Sequence, residues 1–374
     1  MASDVTGIER LTDGRVPVEP GAIEDEFARI WQDTSGSDES SIRLRVLNFV
    51  GVGLTPAALD RYERVLEALP ERHPCRGIMA MTSPGETAVT AAISAHCWRS
   101  GSGSRHVCSE EVLLVAPPGQ ERALASAVLA LLVPELPVAM WLVGDAGLDH
   151  PIVAELIGAA ERAFIDSAGA ADPRAVMRSV LRAQQAHDVQ ICDLAWCRLG
   201  SWRGLVAQFF DGADGARELA RLRSIDIVCG GQRPGSEALL MAGWLVSRLG
   251  LSLADVSVTA GGIAATLYDG TRGVSLSVSA SGEEGLPLSQ VRLRTEGASF
   301  LVELHEASGH MHVREEWPDA PVRRTVAQQP CDDASVFTEA LDDPDDPKIF
   351  LASLRSALRL LGDEGVTGSP GSRS

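Results

Sequence analysis

RLRVLNFVGVGLTPAALDRYERVLEALPERHPCRGIMAM, residues 43–81, is the stretch that sets the fold class. Arg43 to Val50 is β-branched and apolar enough for a strand. Gly51-Val52-Gly53-Leu54 then supplies a turn, and Thr55 before Pro56 is an N-cap followed by a first-turn proline. Leu59, Tyr62, Leu66 and Leu69 recur on one stripe of the resulting helix, and Pro70 stops it. Gly77 to Met81 returns as a second short apolar strand. A strand–helix–strand unit with such strands belongs in a sheet that is covered by helices.

The reading extends outward from that unit. Ala88 to Trp98 and Val107 to Ala116 read as strands joined through the glycine-rich Ser100–Ser104, which suits a hairpin and makes the sheet mixed. A helix over Glu121 to Leu132, an apolar strand from Pro137 to Val143, a helix over Ile152 to Ala160 and a strand from Ala163 to Asp166 continue the alternation. Near Val189 the pattern changes. Trp202, Leu205, Val206, Phe209 and Phe210 share one helical face with Ser201 available as cap, and Glu237 to Leu249 is apolar nearly all round with Gly250 placed to end it. Between Val256 and Val326 alternating runs (Val274 to Val278, Val291 to Leu293, Phe300 to Leu304, Met311 to Val313) indicate an antiparallel sheet. A last helix starts near Asp346-Pro347. The expected fold class is therefore α/β: an N-terminal mixed-sheet α/β domain at 42–188, followed by an α+β domain with an antiparallel sheet at 189–362. A flexible N-terminal segment at 1–41, with one short helix around Ile23 to Trp31, and a disordered tail at 363–374 flank them.

Length and charge narrow the function. With 374 residues, 45% of them hydrophobic, two cores are the natural expectation. The formal charge of −18 repels phosphate backbones and anionic lipid, so neither nucleic acid nor membrane is an expected partner. Lys348 is the single lysine, which removes a Gly-Lys-Ser/Thr phosphate loop and leaves no good Schiff-base residue. The seven cysteines are scattered without a Cys-x-x-Cys pair, as expected for reduced thiols. Met1-Ala2-Ser3-Asp4 opens with neither a basic nor an apolar run, and a cytoplasmic location is expected.

Chemistry-bearing constellations are sparse. Gly51-Val52-Gly53 lacks the third glycine of a dinucleotide loop and reads as a strand-to-helix turn. His96-Cys97 and His106-x-Cys108 face each other across the proposed hairpin, but neighbours on a strand point to opposite faces, so no metal site is expected. Glu110-Glu111 diverges for the same reason. His310-x-His312 would share a strand face, yet two imidazoles make a weak site. Asp166-Ser167 ends a strand where open α/β sheets bind ligands, and also suits a simple turn. No catalytic residue and no cofactor are expected. The tryptophan–arginine group around residues 193–203 does stand out, since both residue types dominate protein interfaces.

That group also carries a resemblance. Asp193-Leu194-Ala195-Trp196-Cys197-Arg198-Leu199 with Trp202-Arg203 and Phe210-Asp211 resembles the Asp-Leu-Ala-Trp-x-Arg-Leu-x-x-Trp-Arg segment of the OpcA family, the glucose-6-phosphate dehydrogenase assembly proteins. His73-Pro74-Cys75-Arg76, Cys108-Ser109-Glu110-Glu111-Val112, Leu136-Pro137-Val138 with Trp141, Asp166-Ser167, and Ala242-Gly243-Trp244-Leu245 with Arg248-Leu249-Gly250 follow in the family's order. The likeness is good from about residue 42 to 250 and looser beyond. It implies a non-catalytic protein that binds glucose-6-phosphate dehydrogenase and favours its active state, with Arg76, Arg198, Trp202 and Arg203 as candidate contributors to the binding surface or its support. The rival reading is an α/β enzyme or sensor of a sugar phosphate, with Ser109, Asp166 and Ser167 around its pocket.

Overall fold

The computed structural model describes residues 15–34, 41–43, 45–69, 72–99, 106–144, 146–270, 272–305 and 307–363. These divide into two compact units. One comprises the chain up to Asp166 with Arg182–Asp193 and Asp332–Asp343, and the other Ser167–Leu181, Leu194–Cys331 and the chain from Pro344 on. The two units interleave in sequence around the expected boundary near residue 188. Residues 167–181 join the second unit, while the strand at Gln190–Asp193 and a helix at Asp333–Asp342 join the first.

The first unit is built on β1 (Val16–Val18), α1 (Ile23–Thr34), β2 (Ser41–Arg43), β3 (Leu47–Gly53), α2 (Pro56–Ala68), β4 (Cys75–Thr82), β5 (Thr90–Arg99) and β6 (His106–Ala116). It continues through α3 (Glu121–Leu131), β7 (Val138–Leu142), α4 (Pro151–Leu156), β8 (Arg162–Ile165) and β9 (Gln190–Asp193). Its nine strands form one mixed sheet in the order β1-β5-β6-β4-β3-β7-β8-β9, with β2 beside β6. Strands β1, β5 and β6 pair antiparallel, and the rest are parallel. Every residue of β3 is buried, as a parallel strand covered on both faces requires.

Two expectations about this unit are corrected. The strand foreseen over Arg43 to Val50 is two strands, because β2 ends at Arg43 and pairs with β6 before β3 begins at Leu47. The N-terminal segment carries the short helix expected around Ile23 to Trp31, and where it is described it is also tied to the sheet. β1 adds to the sheet edge at β5, and α1 buries Ile23 and Phe27 completely. The remainder of that segment, the Ser100–Ser104 connection and residues 364–374 of the tail lie outside the described residues.

The core of the sheet is aromatic. Phe49 on β3 stacks on Tyr62 of α2 at 5.0 Å, and the Tyr62 hydroxyl donates to the Phe49 carbonyl at 2.7 Å. Phe337, from the late helix Asp333–Asp342, inserts against Trp141 (4.6 Å) and Phe164 (4.7 Å), edge-on or tilted as ring quadrupoles favour. Asn48 is wholly buried and fully used: its amide donates to the carbonyls of Val133 and Leu136 and accepts from the Val133 amide at 2.8 Å, tying the turn between α3 and β7 to β3.

The second unit contains most of α5 (Pro173–Ala186), a helix divided between the units at Leu181. Next come α6 (Leu194–Arg198), α7 (Gly200–Gln208), α8 (Ala213–Leu219), β10 (Leu222–Cys229) and α9 (Ser236–Arg248). Seven strands follow: β11 (Ser252–Thr259), β12 (Gly262–Asp269), β13 (Arg272–Ala280), β14 (Gln290–Thr295), β15 (Ser299–His305), β16 (His310–Glu316) and β17 (Val322–Ala327). The Asp333–Asp342 helix of the first unit is α10, and α11 (Pro347–Leu360) closes the described chain. The sheet runs β11-β12-β13-β10-β14-β15-β16-β17 and is antiparallel except where β10 meets β13 in parallel. One face, carrying Ile225, Ile227, Leu276, Val291, Phe300 and Val313, is buried; the other is polar. Helix α9 is buried on nearly every side, as its composition indicates, and Gly250 at φ +62° ends it. Helix α11 starts on Asp346, whose carboxylate accepts from the Lys348 amide at 2.8 Å. The expected Ser201 cap is not made: the N-cap of α7 is Leu199, two residues earlier, and the Ser201 hydroxyl donates to Gln329. Among the described residues no helix is long and apolar enough to cross a membrane.

Candidate functional site

In the first unit the chain runs from β3 outward to β4 and β6 on one side and to β7, β8 and β9 on the other. The carboxyl ends of β3 and β7 thus form the switch point at which open α/β sheets hold ligands. A dinucleotide there would need glycines free for close approach and a helix N-terminus with free amides. Neither is provided. A Cβ on Gly51 would meet Tyr62 and Met79 at 2.5–2.7 Å, and one on Gly53 would meet Met79 at 2.5 Å and Ala58 at 2.8 Å. Both glycines are therefore spent on the close approach of α2 to the sheet. At the start of α2 the Thr55 hydroxyl takes the Ala58 amide, and Pro56 has no N–H to give.

Asp166, at the carboxyl end of β8, is already partnered. Arg61 on α2 pairs with both Asp166 and Asp333, its guanidinium 5.3 Å from the centre of the Trp141 ring. Hydrogen bonding to Asp333 is the main cause that holds the Arg61 pKa above its ordinary value, against the opposing effect of burial. Ser167 is fully buried in the second unit, and its carbonyl accepts from the Ser236 hydroxyl at 2.8 Å. Ser109 is nowhere near Asp166. It lies at the amino end of β6, opposite His96 on β5, four inter-strand steps from β8. Four steps are roughly 19 Å, and the two residues stand at opposite ends of parallel strands. The pocket expected from Ser109, Asp166 and Ser167 is not assembled.

Arg76 is a buried ion-pair centre. Its guanidinium donates to Glu110 at 2.6 and 2.9 Å, to the Leu131 carbonyl at 2.9 Å, and to Glu24 of α1. Burial opposes its charge, and the hydrogen bond to Glu24 with the charge of Glu110 more than restores it. Glu111 faces the other way, to Arg15 at 2.5 Å and Ser94 at 2.8 Å. The adjacent carboxylates do diverge, and each is matched by arginine as buried charge requires. Arg76 and Glu110 together dock α1, so Arg76 supports the unit from within and offers no contact surface.

The tryptophan–arginine group is likewise turned inward, in the second unit. Arg203 lies 3.8 Å over the Trp196 ring and pairs with Asp345 at 2.7 Å, leaving its side chain only 12% exposed. Trp196 meets Phe350 of α11 at 5.6 Å, and Trp202 is buried in the core. Arg198 is half-buried, with its Nε donating to the Cys331 carbonyl at 3.3 Å. These residues clamp the approach to α11 and the segment before Cys331. Arg76 and Trp202 are thus buried, whereas Arg198 and Arg203 are both partly exposed.

Sequence reasoning passed over Arg61, Asp333 and Phe337. A local signal existed in Asp332, which caps α10 by accepting from the Ser335 amide at 3.0 Å. Nothing local places α10 on the sheet of the first unit. Among the described residues no group of three or more His, Cys, Asp and Glu is arranged to hold a metal ion.

Two family models match the chain in tandem. Residues 66–182 match the N-terminal domain, and residues 189–354 the C-terminal domain, of a family described as a glucose-6-phosphate dehydrogenase subunit. The OxPP cycle protein OpcA of Nostoc punctiforme is 30% identical over 192 residues, 50% of this chain and 40% of that protein. That of Synechococcus elongatus is 31% identical over 186 residues, 48% of this chain and 40% of that protein. The matches thus span less than half the length of these curated relatives. In fold, the chain is similar to the 3-ketoreductase KijD10 from Actinomadura kijaniata, with a TM-score of 0.51, 12% identity, and coverage of 86% of this chain and 97% of that one.

Proposed function

The chain belongs to the OpcA family of glucose-6-phosphate dehydrogenase assembly proteins, and from that premise we propose that it binds glucose-6-phosphate dehydrogenase and favours the active conformation of that enzyme without catalysing a reaction itself. The observation that carries this reading is the tandem match of both family models, which together reach from residue 66 to residue 354. The geometry of the switch point supports it. Where a fold of this type holds a cofactor, this chain packs Tyr62 and Met79 against Gly51 and Gly53 and caps α2 internally. An activator of this kind must bind the active state of its partner more tightly than the inactive one, because equal affinity moves no equilibrium. Its role is thus in the oxidative pentose phosphate pathway, exerted by surface contact.

The test is to mix the purified chain with the glucose-6-phosphate dehydrogenase of the same organism. Sedimentation should show a complex, and the dehydrogenase's saturation curve should shift toward higher kcat/KM. Absence of both changes would refute the proposal, and binding without kinetic effect would reduce it to a scaffold.

A further inference from the structure

We propose that the polar face of the eight-stranded sheet in the second unit is the docking surface for the partner, and that it recognises a patch of carboxylates on that protein through Arg292, Arg314 and Arg323. The proposal rests on the dehydrogenase-binding reading above and says which surface performs it.

Directly paired residues lie on the same face of a sheet, so register assembles the surface. One continuous row runs from β12 to β17 through Ala264, Ser277, Asp226, Arg292, Leu301, Arg314 and Arg323. Three of its last four positions are arginine, separated by the buried Leu301. Arg314 and Arg323 are direct cross-strand neighbours, and like charges so placed are destabilising. The carboxylates nearby do not cancel the row. Asp226 pairs with Arg294, Glu303 is shared between Arg314 and His305 at 3.4 Å each, and Glu316 stands in the next row opposite Ser299. Among the described residues no carboxylate is within ion-pairing distance of Arg292 or Arg323.

Edge protection accounts for part of this pattern and not for the rest. β17 is an edge strand, where charged side chains prevent unwanted pairing, and Arg323 with its neighbour Arg324 fits that use. Arg292 does not, because β14 lies inside the sheet between β10 and β15. A row of arginine kept together at a cost in stability, in a chain of net charge −18, is what an acidic partner surface would complement. A second copy of this chain set face to face would bring the same arginine row against itself, which argues for a different protein as occupant.

The experiment uses the full chain and the dehydrogenase of the same organism. Affinity is measured by sedimentation for the wild type, for Arg292→Glu/Arg323→Glu, for the milder Arg292→Ala/Arg323→Ala, and for Arg217→Glu, which reverses a charge that is 75% exposed on α8. The double reversal is expected to weaken binding by about tenfold or more and the double alanine in the same direction by less, with Arg217→Glu within about twofold of wild type. The wild-type Kd is expected to rise with salt, as screened charge pairs require. Circular dichroism and thermal midpoints confirm that each variant folds. A double reversal that folds and binds like wild type overturns the docking surface while leaving the dehydrogenase reading intact, as does a salt-independent Kd. A double reversal that instead splits a homodimer assigns the face to self-association and also overturns the proposal. Failure of the wild type itself to bind refutes the dehydrogenase reading and the surface with it.

Discussion

Replacing Gly243 with alanine should destabilise the second unit, although alanine is the better helix former. Gly243 sits in the middle of α9, where Gly→Ala normally gains about 1 kcal/mol. Here the added Cβ would stand 2.8 Å from the Ala357 amide nitrogen and closer still to the Ser353 carbonyl oxygen, both backbone atoms of α11. Carbon–oxygen contacts settle near 3.3–3.6 Å, so the two helices must part by on the order of 1 Å along their buried contact. Overpacking of this kind typically costs about 1–3 kcal/mol and more where backbone must move. Leu239, Met241 and Ala242 of α9 and Leu354, Ala357 and Leu358 of α11 are almost wholly buried, so a separation of the helices loses packing as well. The clash outweighs the propensity gain, leaving a net loss of about 2 kcal/mol, which for a unit of this size lowers the thermal midpoint by roughly 4–8 °C. Differential scanning calorimetry reads this directly, with Gly204→Ala at an exposed position of α7 as the control, since no atom lies within 4 Å of a Cβ there. A Gly243→Ala midpoint at or above wild type would refute the close approach of α9 and α11.

Three further outcomes follow from the same structure. Arg203→Ala removes the stack on Trp196 and the pair with half-exposed Asp345; the ion pair is discounted for screening, and the loss should be about 1–2 kcal/mol, with Arg203→Lys failing to restore it because an ammonium cannot lie flat on the ring. A lysine variant as stable as wild type would remove the stacking argument. Burial, with Glu111 adding to it, pushes the Cys75 thiol up to about 12, so at pH 8 site-resolved alkylation should leave Cys75 unmodified until the chain is unfolded; prompt native labelling would contradict its placement. The Thr295 hydroxyl, the Gly297 amide and Arg221 hold the Glu218 carboxyl below its ordinary value against the opposing effect of burial. A depressed folded-state pKa contributes stability that is present above the unfolded carboxyl value of about 4.3 and is lost as pH falls through the folded value. Glu218→Gln should therefore lower the midpoint at pH 7 and converge on wild type in acid; a gap that stays constant down to pH 2 would show that the charge is not what Glu218 contributes.

The parts of the fold that were legible in the sequence are those determined by neighbours in the chain. Thr55 and Pro56 start α2 as their chemistry dictates, and Asp346 with Pro347 starts α11. The alternation of short apolar strands with helices marked the first sheet, and runs of alternating residues marked the second. What escaped reading depends on residues far apart. Ser224–Cys229 pair in parallel with Ser275–Ala280 across some fifty positions, so a sheet that looks wholly antiparallel from its local turns contains one parallel seam. Helix α10 is ten residues long with a modest apolar face, and only the ring cluster of Phe49, Trp141 and Phe164 explains why Phe337 is buried there. The candidate site failed for the same reason: Ser109 and Asp166 share a sheet and a strand direction, but sequence order conceals that three strands lie between theirs.

The arginines tell the two kinds of charge apart. Thirty-three basic residues include a single lysine, and the structure puts the planar, always-charged guanidinium where a flexible ammonium would serve poorly. Arg76 bridges Glu110, Glu24 and a carbonyl at once, Arg61 spans Asp166 and Asp333, and Arg203 lies flat on Trp196 while holding Asp345. Each of these pairs within its own unit, so contact with a partner would compete with that pairing. The pairing of Arg203 suits support of the unit, because the same tryptophan and arginine chemistry that binds a partner also packs a core, while Arg198 of the same group stays half-buried. If the chain binds its partner as proposed, the surface arginines of the second unit's sheet are the ones open to it: the pairing register sets Arg292, Arg314 and Arg323 in one row, and among the described residues no carboxylate lies within ion-pairing distance of Arg292 or Arg323.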